Sequence, residues 1–88
     1  MHAVVFTVDT KRDWEGNVDD ELGFVVKMTS EIPGFVRGTW MMNGTSGLSV
    51  VVFDSEERAR EVTATASIPA EASVTLRSVE MYKVAAEA

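Results

Sequence analysis

The feature that most constrains the fold is a pair of apolar runs joined by a glycine-rich turn. Phe35–Met42 and Leu48–Phe53 predict two strands, and Asn43–Gly47 between them is typical of a turn that joins antiparallel neighbours. Leu48–Phe53 is apolar on both of its faces, as expected of a strand in the middle of a covered sheet. The chain is therefore arranged around a central hairpin.

The chain before this hairpin predicts one strand followed by one helix. His2–Asp9 is rich in Val and Phe and predicts a buried strand. Thr10–Gly16 is a polar loop, Asn17 can cap the helix that follows, and Pro33-Gly34 ends that helix. One stripe of the helix recurs at spacings of three and four residues, which indicates a single buried face. The stripe consists of Val18, Leu22, Val25, Thr29 and Ile32.

The chain after the hairpin repeats the pattern. Asp54, with Glu57 three residues later, is close to a capping box and predicts the start of a second helix. Pro69 limits that helix, because proline cannot continue it. Ser73–Val84 predicts the last strand, and residues 85–88 form a tail.

The element order is strand–helix–strand twice, which predicts one α+β domain over residues 1–88. Because crossover connections are right-handed, we expect the third strand between the first and the second, with the fourth on the far side of the first. The predicted result is a four-stranded antiparallel sheet with both helices on one face, a ferredoxin-like βαββαβ fold.

Composition narrows the possible partners. The net charge is −6, with 14 acidic and 8 basic residues, which argues against nucleic acid and against anionic membrane surfaces. Cysteine is absent, so neither a disulfide nor a thiolate metal site can reinforce the small core of an 88-residue chain. Ala3–Phe6 is too short for a membrane span or a signal-peptide core, so we expect a cytoplasmic location. We expect neither a metal nor a cofactor.

Both faces of the predicted sheet are apolar. Val50 and Val52 point to one side of the third strand, whereas Val51 and Phe53 point to the other. Two helices can cover only one face, and large exposed apolar patches are rare on monomers. We therefore expect a homodimer in which a second copy covers the other face.

The chain resembles the dimeric α/β-barrel superfamily, and in particular its small antibiotic-biosynthesis-monooxygenase-like proteins. The resemblance covers nearly the whole chain in element order and is most specific in Pro33–Trp40 and Ser49–Glu57. It implies two sheets that face each other around a cavity. Members include cofactor-free oxygenases, haem-degrading enzymes, isomerases and small proteins without an assigned role, so the resemblance points to a fold rather than to one activity.

Alternation along the second strand separates two sets of side chains. The set expected to face the partner and the lumen is Phe35, Arg37, Thr39, Met41 and Asn43. The set expected to pack under the helices is Val36, Gly38, Trp40 and Met42. Within the first set, Arg37 could hold a carboxylate or enolate oxygen. Alternatively, Arg37 pairs with an acid across the dimer seam or lies at the rim.

Two other candidate site residues, Trp40 and His2, each allow a functional and a structural interpretation. Trp40 either packs in the core or stacks on an aromatic ligand. His2 is the only histidine, and it is a candidate general base if it reaches the cavity. There it could contact Glu80 or Tyr82 of the last strand. The alternative is a solvated side chain at the start of the chain.

The leading functional hypothesis is a protein that binds a small hydrophobic molecule. The resemblance extends it to a cofactor-independent monooxygenase that acts on an aromatic or polyketide-like substrate. The catalytic candidates are Arg37, His2, Asn43 and Tyr82, and the substrate-binding candidates are Trp40, Phe35 and Thr39. The alternative is a non-catalytic ligand-binding or homodimeric assembly domain whose barrel is filled by its own side chains.

Overall fold

Strands and helices alternate along the chain in the predicted order. The computed structural model describes residues 1–10, 18–68 and 72–88, with residues 18 and 19 described by their backbone alone. The elements are β1 (His2–Thr10), α1 (Val18–Ser30), β2 (Phe35–Asn43), β3 (Ser46–Phe53), α2 (Glu56–Thr65) and β4 (Val74–Lys83). The predicted helix cap at Asn17 and the predicted helix limit at Pro69 lie outside the described residues. Neither helix combines the length and the apolar character that crossing a bilayer requires, within the residues described.

The four strands form one sheet in the order β2-β3-β1-β4. All three neighbouring pairs are antiparallel, which confirms the predicted strand order and pairing. β1 and β3 lie in the centre of the sheet, and β2 and β4 form its edges. This α+β arrangement of a four-stranded antiparallel sheet and two helices is compatible with a ferredoxin-like βαββαβ fold.

The core lies between the centre of the sheet and the helices. Val4 of β1 and Val51 of β3 are direct partners in the sheet, and their side chains are 0% and 1% exposed. Phe53 follows on the same side of β3, and Ala59 of α2 packs on this cluster. An alanine at the contact allows α2 to approach the strands closely. Partly buried apolar side chains surround the cluster: Phe6, Ile32, Phe35, Trp40, Val62, Val79 and Met81.

The helix side and the opposite side of the sheet follow from this core. We call the face that carries Val4, Val51 and Phe53 the helix side, and the opposite face, which carries Ala3 and Val52, the open face. Ala3 and Val52 are direct partners on the two central strands. Every other residue of a strand belongs to the same face, so the two names divide each strand by alternation.

A β-bulge at the start of β2 corrects the predicted position of Phe35. The register between β2 and β3 shifts between Phe35 and Arg37, so one additional residue is inserted there. Phe35 therefore lies on the helix side, where its ring meets the buried Phe53 ring edge to face, with centroids 6.5 Å apart. Simple alternation predicts Phe35 on the same face as Arg37 and Val36 under the helices, and both predictions are wrong. Val36 is instead 42% exposed.

The start of α2 also differs from the prediction by one residue. Ser55, rather than Asp54, is the N-cap, and its Oγ accepts a hydrogen bond of 3.0 Å from the backbone N–H of Arg58. The backbone N–H of Asp54 donates a hydrogen bond of 2.9 Å to the carbonyl of Gly34. Asp54 therefore continues the pairing between β3 and the residues just before β2. Glu56 then provides negative charge in the first turn, where the helix dipole favours it.

The connection between β2 and β3 is shorter than predicted, because both strands extend to leave only Gly44 and Thr45 between them. Gly44 has φ +61°, a left-handed conformation in which a side chain is strained. Glycine at the first central position is what a type II′ hairpin turn requires. The tight turn between β2 and β3 therefore depends on Gly44.

Alanine substitutions at Gly44 and at Gly23 are expected to change stability in opposite directions. A Cβ at either position meets no atom within 4 Å, so steric contacts do not contribute at either site. Gly44→Ala should lower the free energy of unfolding by roughly 1–2 kcal/mol, because it forces a left-handed conformation on an L-residue. Gly23→Ala, within α1, should raise it by about 0.5–1 kcal/mol, because it reduces the entropy lost on helix formation.

Urea unfolding of the two variants beside the wild-type protein measures both effects. If Gly44→Ala leaves the midpoint unchanged, the left-handed turn is not present in solution.

Candidate functional site

A cavity of about 440 Å³ lies between the helices and the sheet. Phe6 of β1, together with Ser49 and Val51 of β3, forms its floor on the helix side of the sheet. Leu22 and Val25 of α1 border it from above, as the predicted amphipathic stripe of that helix requires. The helix side is thus tightly packed around Phe53 and open toward the hairpin end of β2 and β3.

Small side chains explain why this space is not filled. Gly47, on the helix side of β3, has no side chain, and a Cβ there would lie 2.9 Å from Val8 Cγ2 and from Met42 Sδ, so these two side chains already cover it. On the opposite wall, the segment that ends α2 contributes Thr65, Ala66 and Ser67. These positions carry at most three heavy side-chain atoms each, so they fill little of the space between this segment and the strands. The core therefore ends before the sheet does.

The indole of Trp40 forms one wall of the cavity and also contacts the core. It lies against the backbone of Gly38, since a Cβ added to that glycine would be only 2.6 Å from the indole Cη2. The same added atom would be 3.4 Å from Cε2 of Phe35. The indole can therefore occupy this position only because residue 38 is a glycine. A glycine two residues before a tryptophan on one strand is the sequence signal that could have indicated it.

Polar groups at the cavity are few. Ser49 lies opposite Trp40 in the β2–β3 register, so a hydroxyl is close to the ring. Glu21 of α1 contributes the only charged side chain among the described residues that line the cavity. Its Oε1 accepts a hydrogen bond of 3.0 Å from the N–H of Ser73. The cavity is therefore mostly apolar, with negative charge at one border.

The open face carries the predicted cation. Arg37 is the register partner of Val52, so it lies on the face opposite to Trp40, as alternation predicted. Its guanidinium forms an ion pair with the carboxylate of Glu87 in the C-terminal tail. This acid belongs to the same chain, whereas the predicted pairing is with an acid across the dimer seam. The side chain is 50% exposed.

Thr39 and Asn43 follow Arg37 on the open face. Thr39 pairs with Val50, and Asn43 pairs with Ser46 at the end of the hairpin. Both are exposed. They lie on the same side as Arg37, as predicted, but neither borders the described part of the cavity.

Tyr82 and Glu80 form a second polar group on the open face, at the β4 edge. They pair with Ala3 and Val5 of β1, and the Tyr82 hydroxyl donates a hydrogen bond to a Glu80 carboxylate oxygen. This hydrogen bond and the charge of Glu80 raise the pKa of the Tyr82 phenol above its ordinary value of 10.0, because ionisation would remove the donor and place two negative charges together. Tyr82 is thus a hydrogen-bond donor at neutral pH.

His2 lies apart from these residues. It pairs with Lys83 in the sheet and is on the helix side, with its Nε2 4.0 Å from a carboxylate oxygen of Glu56 at the start of α2. His2 contacts neither Glu80 nor Tyr82, because alternation places those two residues on the open face. Ala3, one residue after His2, is the strand position that lies on the same face as Tyr82.

The seven candidate site residues therefore occupy three places. Trp40 and Phe35 lie on the helix side, and His2 lies at the start of α2. Arg37, Thr39, Asn43 and Tyr82 lie on the open face. Sequence reasoning missed Glu87, whose tail carries no pattern beyond one acid among alanines, and it missed the cavity, which depends on side-chain volumes rather than on periodicity.

No known protein-family model matches this chain, and no curated protein is similar to it in sequence. Among the described residues, no three His, Asp or Glu side chains cluster closely enough to hold a metal ion. The functional assignment therefore depends on the geometry of the cavity and of the open face.

The phenol titration of Tyr82 tests the open-face geometry directly, because Tyr82 is the only tyrosine. The wild-type protein should ionise above the ordinary pKa of 10.0, and Glu80→Gln should shift the pKa down toward that value. The folded pKa lies above the unfolded one, so the stabilisation is present below about pH 10 and is lost as the pH rises through the folded pKa. Absorbance of the tyrosinate band measures this.

Glu61→Gln is the matched control, since it removes a carboxylate that pairs with Arg58 on α2. A shift of equal size in both variants would mean that overall charge, rather than the hydrogen bond, sets the Tyr82 pKa.

Proposed function

We propose that this chain is a ligand-binding protein that holds a small, largely apolar molecule in the cavity between its helices and its sheet. The observation that carries the proposal is the cavity itself, at about 440 Å³ and lined mainly by aliphatic and aromatic side chains. Ligand pockets are typically about 300–1,000 Å³, mostly apolar, and carry a few polar groups. This cavity has that size and that composition.

The lining residues favour a particular class of ligand. The indole of Trp40 offers a flat wall on which an aromatic ring can stack, and Ser49 on the floor can hydrogen-bond one polar substituent. Glu21 contributes one carboxylate at the border. A mostly apolar molecule with one or two fused rings fits these conditions.

The proposal includes a homodimer formed through the open face. Support comes from the centre of that face, where Val5 and Val50 are register partners and are only partly buried within one chain. Tyr82, at the edge of the same face, is 53% exposed. Burying such side chains against a second sheet would stabilise a chain with a small core. The resemblance to dimeric α/β barrels agrees with this packing.

Catalysis is not part of the proposal. The predicted oxygenase would need Arg37 together with Trp40 or Phe35 around one substrate, and the sheet separates Arg37 from both rings. A face-to-face dimer would bring Arg37, Thr39 and Tyr82 into the space between the sheets, but Trp40 would stay on the helix side. The monooxygenase activity stays a prediction from the resemblance.

A leucine at position 49 is expected to weaken ligand binding. Ser49→Leu adds two heavy atoms to the floor of the cavity opposite Trp40 and removes the hydroxyl, so a ring has less space beside the indole and loses a hydrogen-bond partner. The probe is N-phenyl-1-naphthylamine, a neutral aromatic compound whose fluorescence rises in apolar surroundings. We expect saturable binding to the wild-type protein and at least tenfold weaker binding to Ser49→Leu.

Ser78→Leu is the control, because it makes the same substitution on the open face, opposite Thr7. It should bind the probe as the wild-type protein does. Equal loss of binding in both leucine variants would place the probe outside the cavity and contradict the proposal.

Dimer formation is tested with a charge in the centre of the open face. Val50→Glu should dissociate the dimer, because it would bury a carboxylate between two apolar surfaces. Phe24→Glu is the matched control on α1, where Phe24 is 65% exposed in the single chain. Sedimentation velocity at micromolar concentration should show dimers for the wild-type protein and for Phe24→Glu, and single chains for Val50→Glu. Single chains in all three samples would refute the dimer.

A further inference from the structure

The C-terminal tail, residues 84–88, runs from one edge of the sheet to the other. It begins beside β1, where the N–H of Val84 donates to the carbonyl of Met1 at 3.0 Å. Three residues later, Glu87 forms its ion pair with Arg37 on β2. β4 and β2 are opposite edges in the strand order β2-β3-β1-β4. The tail therefore crosses β1 and β3 on the side to which Arg37 points, which is the open face.

Burial differs between two neighbouring rows of the open face. Ala3 and Val52, in the row of Arg37, are 7% and 3% exposed. Val5 and Val50 lie on the same two strands and the same face, one row further along, and are only partly buried. The two rows lie on the same four strands, but Tyr82 and Arg37 flank the first row, whereas Glu80 and Thr39 flank the second. A tail that reaches Arg37 adds to the cover of the first row and leaves the second row open.

We propose that this tail is a displaceable cap that competes with a second copy of the chain for the open face. The inference rests on the proposed homodimer, since a partner sheet that packs on Val5 and Val50 must also approach the adjacent row of Ala3 and Val52. The tail occupies that row. Closure of the tail therefore favours the single chain, and release of the tail favours the dimer.

The chemistry of the tail makes it displaceable. The Arg37 and Glu87 side chains are 50% and 29% exposed, and ion pairs that remain in contact with water contribute little to stability. Ala85 and Ala86, which span the distance between the two anchors, are small and exposed. A second sheet would bury larger apolar side chains at the same place. Added salt screens the ion pair and should act in the same direction as removing it.

The first measurement asks whether the tail covers the row, independently of any dimer. The chain has no cysteine, so a single introduced thiol reports its own accessibility. Ala3→Cys lies in the covered row, and Thr7→Cys lies on the same face of β1, near its other end. In dilute protein that sediments as single chains, Ala3→Cys should react with a thiol reagent at least tenfold more slowly. Adding Glu87→Lys, which repels Arg37, should accelerate Ala3→Cys only.

The second measurement asks whether the tail competes with a second copy. Glu87→Gln removes the ion pair and should tighten the dimer about two- to fivefold, the range expected for an exposed pair. Glu87→Lys should tighten it further. Glu61→Gln and Glu61→Lys make the same charge changes at the Arg58 pair on α2 and should leave the dissociation constant unchanged. Sedimentation equilibrium gives these constants.

The outcomes separate the two proposals. Equal thiol reactivity of Ala3→Cys and Thr7→Cys would overturn the cap, whatever the oligomeric state. A weaker dimer in Glu87→Gln would also overturn it, because Glu87 would then support the interface, for example by pairing with the partner's arginine. A third outcome is that the thiol of Ala3→Cys reacts slowly, that Glu87→Lys accelerates its reaction, and that every variant sediments as single chains. This outcome would refute the dimer and the competition, and the tail would then only cover its own chain.

Discussion

The contact between the centre of the sheet and one small residue of α2 supports the rest of the structure. Val4, Val51 and Phe53 of the two central strands meet Ala59, and all four are buried. Truncating a buried ring such as Phe53 typically costs about 3–5 kcal/mol. The total stability of a small domain is only about 5–15 kcal/mol. In so small a chain, the position of every other element therefore depends on this cluster.

The same small core explains why the helix side has a cavity. Ala59 brings α2 close to the strands at one point, and the residues that follow Val62 along the helix are too small to maintain that contact toward the hairpin. The space that remains is bordered by Trp40, whose position depends on the absent side chain of Gly38. The core and the cavity thus lie side by side on one face of the sheet, and Val51 and Trp40 belong to both.

The alternation of side chains predicted much of this arrangement. The strand order, the antiparallel pairing and the opposite orientation of Arg37 and Trp40 are all confirmed. These features follow from periodicity and from the handedness of crossovers, which are local or topological rules. The position of Phe35 was wrong because a bulge adds one residue to the strand, and a single sequence carries no period that marks a bulge. The cap at Ser55 rather than Asp54 was missed for a related reason, since both residue types can cap a helix.

The sequence by itself determined the elements, their order and the side of the sheet that most strand residues occupy, because each of these depends on residues close together in the chain. Only the tertiary structure decided that His2 lies away from Tyr82, that a cavity adjoins Trp40, and that Glu87 reaches Arg37 across the sheet. Those three results depend on register, on summed side-chain volumes and on the path of a tail. Each is a distance between residues far apart in sequence, and no local pattern encodes such a distance.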